Sequence, residues 1–226
     1  MNRFAHLLDR LAYEPGRNNK LRLITSYFRE VPDPDRGWAL AALTGALSFR
    51  HAKAGLIRDL IAARTAPTLF ALSYDYVGDL SETVALMWPK PSRGRIAPSP
   101  ACGGGLGRGP TLTTQQPPPG SLRDPTSPAS GRGEETAVGA GHNNPPPALT
   151  EVVTTFNTLG KTEIPAQLVR WLDELDETGR WALLKLVTGG LRIGVSARLA
   201  KTAAAALGDK DAHDVELIWP GLAPPY

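Results

Sequence analysis

Lys185-Leu186-Val187-Thr188-Gly189-Gly190-Leu191-Arg192-Ile193-Gly194-Val195-Ser196 joins two runs of very different character. An apolar stretch with helical spacing enters a pair of glycines, then a lone arginine, a third glycine and a serine, and a second helical run follows. Glycine lets a backbone turn tightly and approach a ligand closely. A helix start presents N–H groups that no earlier carbonyl satisfies. With a cation alongside, these are the parts of a phosphate grip.

Upstream, Thr178 is placed to start a helix carrying Trp181, Leu184, Val187 and Leu191 on one face, and downstream Ser196 is placed to cap the next. The same periodicity extends both ways. Phe4, Leu7, Leu8 and Leu11 form one stripe; Leu21, Ile24 and Phe28 form a second, with Asn18 or Asn19 as its N-cap. Further helices are expected over residues 38–47 and 52–64, from Pro67 onward, and over 80–88 after the Gly78-Asp79 break. Thr150 reads as the cap of a helix bearing Val152, Val153 and Phe156; Pro165 opens another with Leu168, Trp171 and Leu172; residues 211–219 offer a last one. No alternating apolar–polar run of strand length occurs, so the fold class is all-α.

Three segments follow from composition: a helical half over residues 1–88, a low-complexity insert over 89–147, and a second helical half over 148–226. The insert holds 13 of the 21 prolines and 11 of the 23 glycines, too little apolar matter to offset the entropy of ordering, and is expected to be disordered. It contains an echo, Ser99-Pro100-Ala101 against Ser127-Pro128-Ala129, of the kind a palindromic DNA element leaves when translated; an ordinary linker is the alternative.

With 226 residues, 42% of them apolar and 21% charged, the chain has ordinary globular proportions, and 25 basic against 22 acidic residues make its net charge only +3. Distribution is more telling. Residues 185–201 hold Lys185, Arg192, Arg198 and Lys201 and no carboxylate, directly after Asp173, Glu174, Asp176 and Glu177. Such local polarity suits a face turned toward an anion. A single cysteine, Cys102, excludes an intrachain disulfide and a thiolate zinc cluster. The N-terminus carries Asp9 and Arg10 inside its apolar pattern and is no signal peptide; no run is long enough to span a bilayer. A cytoplasmic protein is the expectation. His6, His51, His142 and His213 are scattered and receive no role, and the five tryptophans, each in an apolar stripe, read as core.

Arg17-Asn18-Asn19-Lys20-Leu21-Arg22-Leu23, Gly78-Asp79-Leu80-Ser81-Glu82 and Gly190-Leu191-Arg192-Ile193-Gly194 together resemble the N-terminal DNA-binding domain of bacterial ATP-dependent DNA ligases. The third is similar to that family's Gly-x-Leu-Arg-Ile-Gly signature, the second to its Gly-Asp-Leu-Gly-Glu turn. The likeness spans residues 1–88 and 148–226, and the insert has no counterpart. It implies a helical clamp on the sugar–phosphate backbone opposite a nick in double-stranded DNA, reading shape and not sequence, and a nucleoid-associated location. Asn18, Asn19 and Lys20 would combine a helix start with a cation. Gly190 and Gly194 would admit the phosphate, Arg192 would fork onto its oxygens, Ser196 would donate to it, and Lys185, Arg198 and Lys201 would add charge. Two plainer assignments stand beside these: Gly189 and Gly190 as a helix end, and Arg192 paired with a carboxylate at 173–177.

Ligation itself needs a lysine in Lys-x-Asp-Gly. None of the seven lysines stands in that motif, nor is there a phosphate-binding Gly-x-x-x-x-Gly-Lys-Ser/Thr loop. The full family uses ATP and Mg2+; for this chain no cofactor is expected. The last residues, Trp219-Pro220-Gly221-Leu222-Ala223-Pro224-Pro225-Tyr226, resemble the linker to a nucleotidyltransferase domain, so the expectation is a clamp inactive alone, its catalytic domain missing or separate. A helical protein-interaction module and the product of an interrupted ligase gene are the alternatives.

Overall fold

The computed structural model describes residues 1–89 and 145–226, and every regular element among them is helical, as expected. The first half supplies α1 (Asn2–Tyr13), α2 (Arg17–Glu30), α3 (Asp35–Leu43), α4 (Ala54–Ala62), α5 (Pro67–Val77) and α6 (Leu80–Met87). The second supplies α7 (Leu149–Thr158), α8 (Ile164–Glu174), α9 (Glu177–Thr188), α10 (Ala197–Leu207) and α11 (Ala212–Ile218), then a 3-10 turn over Trp219–Gly221. Cys102, His142, the Ser-Pro-Ala echo and the expected disorder of the insert lie outside the described residues.

Met1–Pro91 and His142–Tyr226 make one unit because each half buries the other's apolar stripes. Helix α9 is enclosed almost all round: Ala182, Leu183, Leu184, Leu186 and Val187 are buried, which is the pattern of a central helix. It packs on α1 and α6 from the first half, while α10 packs on α2 and α3, and α7 on α3. The stripe Phe4, Leu7, Leu8 and Leu11 is buried as its spacing requires. Phe156 of α7 meets both halves, its ring 5.0 Å from Phe49 and 5.2 Å from Trp171. Removing such a ring costs about 3–5 kcal/mol in a packed core. Trp88 and Trp171 are buried; Trp38, Trp181 and Trp219 pack against the core with one side exposed.

Helix boundaries fall within a few residues of their expected places, but the caps differ. Helix α2 starts at Arg17 with Gly16 as N-cap, so Asn18 and Asn19 lie in its first turn and cap nothing. For α7 the cap comes from elsewhere. Asp35, at the start of α3, accepts the Thr150 N–H at 2.8 Å and the Leu149 N–H at 3.4 Å, and also the Thr150 hydroxyl. Thr150 is thus a donor inside the helix. Asp176, not Thr178, opens α9, its side chain accepting the Gly179 N–H. Ser196 does cap α10, accepting from Leu199 N–H at 3.2 Å.

Candidate nucleic-acid interface

Helix α9 ends because Gly189 takes the left-handed conformation, at φ 68°, which side chains with a Cβ adopt only with strain. The plain reading of this glycine as a helix end is therefore right. Beyond it the backbone is tight: Arg192 N–H reaches the Gly190 carbonyl at 2.7 Å, and Ile193 N–H the Leu191 carbonyl at 2.9 Å. Ile193 is buried and Leu191 partly so, anchoring the loop, while Arg192 between them is exposed. Arg192 makes no ion pair among the described residues, so the expected alternative partner at 173–177 is not taken up.

Lys20 is where the structure departs most from the sequence reading. It is buried, and its ammonium points away from solvent, donating to the Ile193 carbonyl at 2.7 Å and the Gly194 carbonyl at 3.1 Å. Burying an ammonium is tolerable only with such partners. Gly194 permits the contact: its φ is 66°, and a Cβ there would stand 2.6 Å from Lys20 Nζ. Lys20 therefore fastens the loop to the start of α2 and does not present its charge directly to a ligand.

A second inward lysine fixes the other end of the segment. Lys185 is buried in α9, forms an ion pair with Asp79 at 2.7 Å, and sits 5.8 Å over the Trp181 ring. Asp79 also caps α6, accepting the Glu82 N–H. Burial alone would raise its carboxyl, but the Lys185 ammonium and the Glu82 and Ser81 amides hold it below the usual carboxylate range. The three motif segments thus form one connected cluster, α2 to the glycine loop through Lys20 and α6 to α9 through Asp79. The sequence reading treated Asp79 as a turn residue, although an aspartate three positions before a glutamate is itself an N-cap signal.

Lys201 is half-buried, paired with Glu216 at 2.8 Å and 4.6 Å from the Trp219 ring centre. Of the four cations over residues 185–201, only Arg192 and Arg198 are therefore exposed and without an ion pair among the described residues. Near them lie exposed Gly194 and Ser196 and half-buried Gly190; α10, which begins at Ala197, packs on α2. At the start of α2, Arg17, Asn18 and Asn19 are exposed, and no described residue accepts their backbone N–H groups. Glu14 is drawn to this end, accepting the Gly16 N–H at 2.8 Å and the Asn19 side-chain amide at 3.2 Å. Neither α2 nor α10 carries an acidic residue in its first turn. Chemically, the edge offers two helix starts, the exposed Arg192 on a loop braced from behind and the exposed Arg17 and Arg198 in the first helical turns, a surface that favours anionic oxygen.

Among the described residues no group of three His, Cys, Asp or Glu is arranged to hold a metal ion, and none of the seven lysines is followed by x-Asp-Gly. No helix among them is long and apolar enough to cross a membrane. Comparison with protein-family models, with curated proteins and with solved structures finds no match to this chain.

Proposed function

We propose that this domain holds double-stranded DNA by its sugar–phosphate backbone, in the manner of the DNA-binding region of ATP-dependent DNA ligases, with a preference for nicked duplex. What carries the reading is the Lys20 contact to Ile193 and Gly194, which ties the exposed start of α2 to the exposed loop and α10 start, segments 173 residues apart. Arg192 and Arg198 supply the charge, Ser196 and Asn18 the neutral donors, and Gly190 and Gly194 the close approach. Lys20, Lys185 and Lys201 act from within, holding the frame. No base-reading group is required, so binding is sequence-tolerant and weakens with salt. The chain holds DNA and does not seal it, since no lysine stands in an adenylation motif. A cytoplasmic, nucleoid-associated location follows from the same reading.

Fluorescence anisotropy tests it. Nicked duplexes of two unrelated sequences are expected to bind alike, more tightly than a single strand, and progressively less well as salt rises. Affinity that ignores salt, or that is equal for single strand and nicked duplex, rules the proposal out.

A further inference from the structure

A groove of about 450 Å³ opens between α1, α6 and α9, and its lining does not suit nucleic acid. Its apolar lining includes Tyr13, Leu86 and Trp181; Tyr13 is 83% exposed and Leu86 54% exposed, large apolar groups that no described residue covers. Around them stand Asp9, Glu82 and Glu177, none of which forms an ion pair among the described residues. Asp79 and Lys185 on the same lining neutralise one another, and Arg192 is the lining's one cation without an ion pair among the described residues. A phosphate backbone entering here would face three carboxylates against one guanidinium.

We infer that this groove docks a segment of a partner protein in which arginine or lysine stands beside apolar residues. The apolar side chains cover Tyr13 and Leu86 and remove them from water. Basic groups reach Asp9, Glu82 and Glu177, and the Trp181 and Tyr13 rings add cation–π attraction. Charge complementarity thus selects a basic polypeptide over an acidic one and over nucleic acid. The groove shares Arg192 with the proposed phosphate face, whereas Tyr13 and Leu86 belong to no part of that face, so changes at those two positions test the groove apart from DNA binding.

A short acetylated and amidated peptide of leucine and arginine on an alanine background serves as the probe, with leucine–glutamate and serine–arginine counterparts. Titrated into isotope-labelled protein of residues 1–226, the leucine–arginine peptide is expected to shift the amide resonances of Tyr13 and Leu86 and the Trp181 indole. Its counterparts should leave them in place. A Tyr13→Ser/Leu86→Ser variant, altered only at exposed positions, is expected to weaken the peptide at least about tenfold while nicked-duplex affinity stays unchanged. Shifts scattered away from the groove, equal response to the glutamate peptide, or undiminished binding by the variant each overturn the inference. So does displacement of the peptide by nicked duplex, which would make the groove part of a DNA face.

Discussion

The Lys20 ammonium lies 2.7 Å from the Ile193 carbonyl, joining positions 173 apart in the chain. The bond is charge-assisted and buried, so it is worth more than a surface contact, about 1.5–3 kcal/mol on the general scale. Lys20→Met keeps the stem's packing and removes the donors. We predict a loss of about 2 kcal/mol, or roughly 4–8 °C in melting temperature for a domain of this size, measured by calorimetry. Nicked-duplex affinity should fall as the loop loosens, yet the slope of log affinity against log salt should stay put, because Lys20 neutralises no phosphate.

Gly194 and Gly189 share a left-handed backbone but differ in surroundings, at φ 66° with Lys20 Nζ 2.6 Å from a built Cβ, against φ 68° with open space. Alanine at either site costs about 1–2 kcal/mol of backbone strain. At position 194 it also displaces the Lys20 ammonium from its carbonyls. Gly194→Ala should therefore melt clearly below Gly189→Ala, and in a Lys20→Met background the two should become alike.

Asp79 gives the fold an acid-sensitive joint. Its carboxyl is held below the usual range in the folded protein by Lys185 and two backbone amides, despite burial that alone would raise it. A depressed carboxylate stabilises the fold above its unfolded pKa, and that contribution is lost as pH falls through the folded value. Chemical denaturation at neutral pH should show Asp79→Asn less stable than wild type. The gap should begin to close below about pH 4, where Asp79 of the unfolded chain starts to take up a proton, and should vanish as pH falls through the lower folded value.

Asp35 caps α7 from 115 positions away, accepting the Thr150 N–H at 2.8 Å. Together with the apolar contacts of α9 and α10, it makes the two halves a single folding unit. Co-expressed as separate chains, residues 1–89 and 145–226 should copurify as a helical complex with one cooperative melt. Asp35→Ala should weaken the pair by about 1 kcal/mol, the usual worth of a helix cap. Two independently melting chains would contradict the interlocked core.

Much of this fold is legible in the sequence because amphipathic spacing is a local property: Phe4, Leu7, Leu8 and Leu11 announce a buried face whatever they pack against. Caps are less local. Thr150 looks like a cap, and only the folded chain reveals that Asp35 performs that task. The lysines show the same limit at the site. A sequence displays their charge but not their direction, and Lys20 and Lys185 both turn inward. A clue was present, since Lys20 stands four residues before Ile24 and eight before Phe28, on the buried stripe of α2. Lys185 likewise sits inside the run Leu183 to Val187 that α9 buries whole. Arg192 and Arg198, outside any such stripe, are exposed.

We propose that Arg192, on the loop braced by Lys20, and Arg198, in the first turn of α10, meet phosphates. This central claim is tested most directly by the salt dependence of nicked-duplex binding, measured for wild type and for Arg192→Ala/Arg198→Ala. Each lost phosphate contact should reduce the slope of log affinity against log salt by about one, so the double variant should bind more weakly with a slope shallower by about two. An unchanged slope together with unchanged affinity would contradict the account.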